Sequence, residues 1–464
     1  MRYDYVFVGA GPANLTATNI LLGRGVDSIL ILEEGSPLGR RGCPGHPRNL
    51  CTHCNGALCH VSGGEGGSSA VFGNKLCYFP ASSQVLRYFS EETIAASARY
   101  VDLLLQPFFK LQDSCDSDGS TDPGVLVREK SMILRKDYRS DVLLRGDFEK
   151  LIRMLLAGPR HAGVLRLNTA ITEIQRVADF GFKVFTSAGD VLEANRVVLG
   201  CGRSSHGFLR SVLTALRVRW AENCQDVGLR LEGPSDIFTR KLRYQGDPKY
   251  KVAHSTSGTS RTFCGCDGGI IVPVKFGKSY YADGAFGDQF TGRSNLAFMV
   301  RSQKPIAASE LEKWCAGINA SAGGSLLLGE VPLHGADTRR LVGTMVAMVP
   351  WWPSERHRAM ISELLMLALG EGISLLRRQG TGSASVRVFG PAIDLYWPKP
   401  ELEWGLRTCI PGLFVLGDAT GISRGFVQAI LSGAAWALTQ LSDAACQRVG
   451  ESILGEVDEW CVSE

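Results

Sequence analysis

Between an apolar strand, Asp4–Val8, and a helical run that ends near Leu22, the chain carries Gly9-Ala10-Gly11-Pro12-Ala13-Asn14. A strand that breaks into Gly-x-Gly and reopens at once as a helix leaves first-turn amides pointing out of the turn with no side chain before them. That is a cradle for a pyrophosphate. Gly23 and Gly25 stop the helix, and the strand Ser28–Leu32 completes a βαβ unit. The unit ends in Glu33-Glu34, where a carboxylate can accept the hydroxyls of an adenosine ribose. Asn14 stands where a third glycine would allow the closest helix–strand packing. Asparagine is small enough for a slightly wider crossing, and its amide can bond loop backbone. An ordinary βαβ turn without a ligand shares this pattern, so the rest of the chain must separate the two readings.

A second strand, turn and helix follow near the end: Gly412-Leu413-Phe414-Val415-Leu416-Gly417-Asp418, then a helix over about 426–441. Asp418 would accept a ribityl hydroxyl, and Gly425, Phe426 and Val427 at the helix start would face a flavin pyrimidine. Only a flavin dinucleotide needs both ends, so the sequence predicts FAD. Between them, Arg196–Ser204 reads as the strand and glycine turn that return the chain to the adenine side, with Gly202, Arg203 and, upstream, Ile171 as contacts. Arg40 and Arg41 follow the ribose carboxylates closely enough to reach the cofactor.

These pieces resemble the two-dinucleotide-fold FAD oxidoreductases, and within them the bacterial "uncharacterised FAD-dependent dehydrogenases". The most specific segments are Cys43-Pro44 with Cys51-x-x-Cys54, the glycine run 63–67 with Lys75-Leu76, Thr262–Gly269, and Asn295 before an apolar strand. The resemblance implies a single-FAD α/β protein: a Rossmann-like FAD-binding domain with an inserted mixed α+β substrate domain. Many members carry a further N-terminal domain, and they have Gly where Asn14 stands. The predicted division is 1–216 for the first FAD-domain segments, 217–390 for the insertion and 391–464 for the closing FAD-domain segment. Gly200-x-Gly202-x-x-Ser205 lacks the third glycine and a ribose reader, so one dinucleotide site is expected. This weakens the N-hydroxylating monooxygenase reading that Gly11-Pro12-Ala13-Asn14-Leu15 invites, because those enzymes also need a nicotinamide site.

Residues 36–84 form a long irregular stretch, which in a compact domain is usually functional. Its run Ser62–Ser69 can bring bare backbone amides against a flat ring, with Gly66, Gly67 and Ser68 in contact and Glu65 and Lys75 at the reactive edge. A flexible glycine turn with solvated charges is the plain alternative. Cys43, Cys51, Cys54 and Cys59 with His46, His53 and His60 fit three states: free thiols, a metal or iron–sulfur site, or a disulfide exchanging electrons with flavin. A zinc knuckle would show a second equally tight pair, and Cys264-x-Cys266 is spaced too closely, so no metal is assigned and Cys54 is the redox candidate. Arg387, just before the chain re-enters the first domain, could fork onto a substrate carboxylate.

Composition narrows the partners. Lys+Arg 50 against Asp+Glu 46 gives +4, with the basic residues scattered, which argues against nucleic acid. Fourteen cysteines are too sparse for a disulfide scaffold, and Asp4 interrupts the apolar core a secretory leader needs. Glu363, Gly370, Glu371 and Gly372 break the most apolar later stretch below membrane-spanning length. The expectation is a soluble cytoplasmic flavoprotein that moves a hydride between a small molecule and flavin N5, with an external electron acceptor or reductase as partner. A flavin monooxygenase fed by an external reductant and a flavin-binding redox sensor are the alternatives.

Overall fold

The computed structural model describes residues 2–41, 59–78, 81, 83–109, 125–128, 131–136, 139–177, 181–202, 205–234, 237, 249–254, 258–286, 291–333, 337–378 and 384–441. Two sheets organise them. In the first, Arg2–Val8 pairs in parallel with Ile29–Leu32 on one side and Val191–Leu199 on the other. Leu413–Val415 continues the parallel row beyond Val197–Leu199, while residues 191–194 of the same strand pair antiparallel with Gly181–Thr186. One strand thus serves both the parallel core and an antiparallel meander with Gly181–Thr186 and Ile171–Val177.

Alternation along the parallel strands sends side chains to two cores. Tyr5, Phe7, Ile29, Ile31, Val198 and Phe414 face a helical layer, and Val6, Val8, Leu30, Leu32, Val197 and Val415 face the meander and the helix His206–Ala215. Trp436, fully buried on the helix Phe426–Gln440, meets Tyr5, Phe7 and Phe414 edge-on at 5.8, 5.7 and 5.3 Å.

The helix Arg145–His161 contains Pro159 in its last turn. Proline cannot donate to the carbonyl four residues back. That carbonyl, Leu155 O, instead accepts Asn19 Nδ2 of the first helix, Pro12–Leu22, at 2.7 Å.

The second sheet is antiparallel with eight strands, ordered Leu327–Pro332, Ser385–Asp394, Asp226–Pro234, Arg293–Arg301, Thr259–Cys266, Lys249–His254, Ser131–Lys136 and Val125–Arg128. Its last two strands come from a segment that the sequence division placed in 1–216; pairing of 131–136 with 249–254 carries them to the insertion. One face of the sheet, with Val227, Leu229 and Leu231, packs against the helices Ala308–Ser321, Thr338–Ala347 and Glu355–Arg378. The alternate positions Asp226, Gly228 and Arg230 look the other way, toward the first domain. Among the described residues no helix is long and apolar enough to cross a membrane.

Candidate functional site

Two cavities lie along the C-terminal ends of the parallel strands, the place where α/β sheets bind ligands. One, of about 260 Å³, is lined by Gly9, Glu33, Glu34, Gly63, Gly64 and Ile171. The other, of about 340 Å³, lies between the first domain and the polar face of the second sheet, against Pro12, Ala13, Ser68, Lys75, Gly417 and Asp418. Gly11, Ser62, Gly67, Gly200, Cys201 and Gly202 line both, so the two are one bent cleft.

Backbone contacts set the waist of that cleft. Gly67 has φ +71°, and a Cβ there would meet Pro12 Cδ at 3.1 Å and Gly11 Cα at 3.2 Å. The glycine run therefore touches the first turn. Asn14 lies beneath the turn, fully buried, and its Nδ2 donates to Val8 O at 2.9 Å and Gly9 O at 2.8 Å. The space that a third glycine would leave is provided across the interface: a Cβ on Gly200 would lie 2.3 Å from Asn14 Oδ1. Gly433 likewise admits Ala13 O, which would come within 2.1 Å of a Cβ.

At the other end of the larger cavity, Gly425 (φ +111°) precedes the helix Phe426–Gln440. Gln428 ties that helix start to the first domain by donating to Cys77 O and Ala81 O at 2.8 and 2.9 Å. Gly425 and Phe426 line the cavity, and Val427 is buried behind them.

Several sequence candidates sit elsewhere. Glu65 is 1% exposed and turned from the cleft; it accepts Arg160 Nε at 2.8 Å, Arg160 Nη2 at 2.6 Å and Leu38 N at 2.7 Å. A buried carboxylate needs such partners, and they occupy it, so it does not flank a reactive edge. Gly66 is likewise behind the cleft, donating to Ala10 O at 2.9 Å, and a Cβ there would run into Ile152 and Ala70. Arg41 points inward as a staple: its guanidinium donates to His60 O, Val61 O, Glu65 O and Gly67 O at 2.6–3.3 Å. Burial lowers its pKa to about 10 against the opposing pull of Glu33, Cys59 and Glu65. Arg40 is exposed and lines neither cavity. Arg387 pairs with Glu232 at 3.2 Å and Glu330 at 3.8 Å, because the strand register sets it opposite both. It is not on the cavity wall.

Glu33 does line the smaller cavity, but its carboxylate already accepts Ala10 N, Gly35 N and Gly64 N at 2.8–3.0 Å. Glu34 is exposed on the same wall, with Ser205 Oγ at 3.3 Å. Lys75 crosses between the domains, its Nζ donating to Gly265 O at 3.1 Å. Cys54, Cys43, Cys51 and Arg203 lie outside the described residues. Cys59 is buried with Val61 in the core of the second sheet. Among the described residues no group of three or more His, Cys, Asp or Glu is placed to hold a metal.

The sequence reading missed a wall of the larger cavity. Arg261 and Phe263 of one strand, Asp394 and Tyr396 of another segment, and Arg424 in the turn before Gly425 all line it. Arg261 Nε donates to Asp226 Oδ2 at 2.7 Å, and its Nη2 bonds Asp394 and, at 3.3 Å, Tyr396 Oη. Arg424 pairs with Asp394, and Arg301 with Asp226 at 3.1 Å. The one local signal was an arginine beside the glycine that starts a helix.

The fold is an α/β unit with a cleft at the C-terminal ends of its parallel strands, roofed by an antiparallel sheet. No family model and no curated protein matches the sequence. Solved structures do align along almost all of it. A geranylgeranyl bacteriochlorophyll reductase-like protein from Thermoplasma acidophilum is 13% identical over 99% of this chain and 83% of its own, TM-score 0.37. A probable FAD-dependent monooxygenase from Pseudomonas aeruginosa is 14% identical over 98% and 92%, TM-score 0.33. The Diels-Alderase PyrE3 of pyrroindomycin biosynthesis is 15% identical over 99% and 72%, TM-score 0.35. At this distance each is a likeness only.

Proposed function

We propose that the chain is an FAD-dependent oxidoreductase that moves a hydride between a small organic substrate and the flavin. The observation that carries this is the single bent cleft, one arm against the Gly9–Gly11 turn and the two glutamates, the other opening between the domains. An ADP moiety and an isoalloxazine need those two arms and a narrow waist without side chains, and Gly11, Gly67, Gly200 and Gly202 make that waist.

In this reading the first-turn amides of the Pro12–Leu22 helix hold the pyrophosphate. Glu33 stiffens the turn through its three amide bonds, and Glu34 is left on the ribose side of the wall. Asp418 meets the ribityl chain, while Gly425 and the helix start behind it face the pyrimidine edge. Bound flavin would supply the two-electron chemistry. Lys75, on the cavity wall, adds positive charge where negative charge develops during transfer. The second sheet excludes water and fixes the substrate against the ring. The partners proposed are that small molecule and an external electron acceptor or reductase.

The test is Gly11→Ala. A Cβ there would meet only Gly200 O, at 3.9 Å, so the chain tolerates it, yet it protrudes where the pyrophosphate must lie. Purified wild type should show a flavin spectrum. The variant should melt as the wild-type apoprotein does and bind FAD at least about tenfold more weakly. Equal FAD affinity, or a wild type that takes up no FAD, overturns the reading. Oxygen-dependent insertion into a product would shift it to a monooxygenase, and the absence of any turnover to a redox sensor.

A further inference from the structure

Half of the described cysteines line the larger cavity: Cys77, Cys201, Cys264 and Cys266. The last two belong to one strand, Thr259–Cys266, and stand at a break in its ladder. Phe263 pairs with Ala297 and Cys266 with Asn295, so three residue steps run beside two on the neighbouring strand Arg293–Arg301. That is a bulge, a feature that re-aims side chains beside functional sites. Two steps of regular antiparallel strand cover about 6.8 Å, the outer limit for the Cα atoms of a disulfide. Three steps in the same span draw alternate Cα atoms inside that limit. Cys266 Sγ lies 3.7 Å from Cys264 O.

Two cations from other elements hold this bulge. Cys264 has φ +47°, a left-handed backbone that only surrounding contacts can keep in place in a residue with a side chain. Arg230, fully buried, donates from Nη1 to Cys264 O at 3.0 Å and is itself fixed by Asn295. Lys75, from the first domain, donates to Gly265 O at 3.1 Å. The result is one half-buried thiol, Cys264, and one buried thiol, Cys266, on the same cavity wall. Positive charge on the peptides that carry them suits sulfurs that must take negative charge during thiol–disulfide exchange.

We propose that Cys264 and Cys266 are a redox pair that carries electrons between the flavin and a small dithiol–disulfide couple admitted to the larger cavity. This rests on the flavoenzyme reading and gives the external electron partner a chemical class. One thiolate of the small dithiol attacks the Cys264 sulfur of the Cys264–Cys266 disulfide, and Cys266 leaves and takes a proton. The second thiol of the small molecule then displaces Cys264, so the molecule departs as a disulfide and both cysteines are thiols. Cys264 and Cys266 close to the disulfide again by giving two electrons and two protons to oxidised flavin. Run in reverse, the same steps pass electrons from reduced flavin to a small disulfide. The cavity suits both exchanges, since the two cysteines line it together with Asp418 and Gly425.

Trypsin releases both cysteines, and no other, in the peptide Thr262–Lys275, because Arg261 and Lys275 bound it. The test equilibrates full-length protein with mixtures of reduced and oxidised glutathione, traps thiols with N-ethylmaleimide and weighs that peptide. It should pass from a doubly alkylated form to an unalkylated one, lighter than the dithiol by two hydrogens, as the mixture becomes more oxidising. This readout needs neither flavin nor turnover. In FAD-reconstituted protein without oxygen, dithiothreitol should bleach the flavin. Cys264→Ser or Cys266→Ser should slow that bleaching at least about tenfold with FAD affinity unchanged. Cys409→Ser, exposed and off the cavity wall, should leave the rate as it is. A peptide that stays in one form throughout, Cys264 bonded to a different cysteine, or undiminished bleaching in the serine variants overturns the proposal and leaves the flavin reading standing. Should those variants not fold, the wild-type peptide decides alone. A protein that takes up no FAD removes the flavin reading, and this electron route with it.

Discussion

Arg160 reaches Glu65 across 95 positions of sequence, and that pairing decides what Glu65 does. From sequence, Glu65 is an acid in a glycine run; in the fold it is a buried anchor that fastens the run to the helix Arg145–His161. Glu65→Gln should cost about 1–3 kcal/mol, below the roughly 3–5 kcal/mol for breaking a fully buried pair because Arg160 remains 43% exposed. Denaturant unfolding would measure it, and FAD affinity should stay within about twofold if the cleft is untouched. Cys201 shows the same dependence on surroundings. It lines both arms of the cleft, but burial, with Glu34 adding to it, pushes its thiol up to about 12. The thiolate is the reactive form and appears only near that pH. Peptide mapping after iodoacetamide at pH 8 should therefore find Cys201 unmodified while exposed Cys409 is labelled; comparable labelling of both would contradict the burial argument.

Elements whose determinants fall within a dozen contiguous residues were legible in the sequence. The Gly9–Gly11 turn, the Ser28–Leu32 strand and the Leu413–Asp418 turn needed only local spacing. What spacing could not give was the neighbour of each element. Asn14, a departure from the usual glycine, is accommodated by Gly200, just past the end of a strand more than 180 residues later. Gly200→Ala should thus destabilise by roughly 1–3 kcal/mol, as overpacking does. Adding Asn14→Gly should recover part of that loss, so the double-mutant cycle should show coupling above about 0.5 kcal/mol. Additive effects would mean the two side chains do not meet. Asn19 makes a second such prediction: it caps the carbonyl that Pro159 leaves without a donor, so Asn19→Ala should cost about 1–3 kcal/mol, read from chemical denaturation. The charged wall was illegible for the same reason, since Arg261, Asp394 and Arg424 come together only through strand register and the closing turn.

At the scale of the whole molecule, the runner-up glycine motif has a definite place. Gly200-Cys201-Gly202 follows the strand Val191–Leu199, which lies parallel to the first strand, and it lines both arms of the same cleft. It therefore borders the same cleft as the Gly9–Gly11 turn instead of a cleft of its own. The sheet that covers the larger cavity is antiparallel, an architecture without the strand-to-helix turns whose free amides would cradle a second pyrophosphate. A nicotinamide cofactor would then have no comparable cradle among the described residues. Direct reduction of bound flavin by NADH or NADPH in stopped flow should accordingly run far below the roughly 10 per second typical of enzyme turnover. Dithionite, which needs no binding site, should reduce the same sample completely. Saturable reduction by NADPH at turnover rates would show that the cavity between the sheets admits a second dinucleotide. The substrate and the reductant would in that case share that cavity.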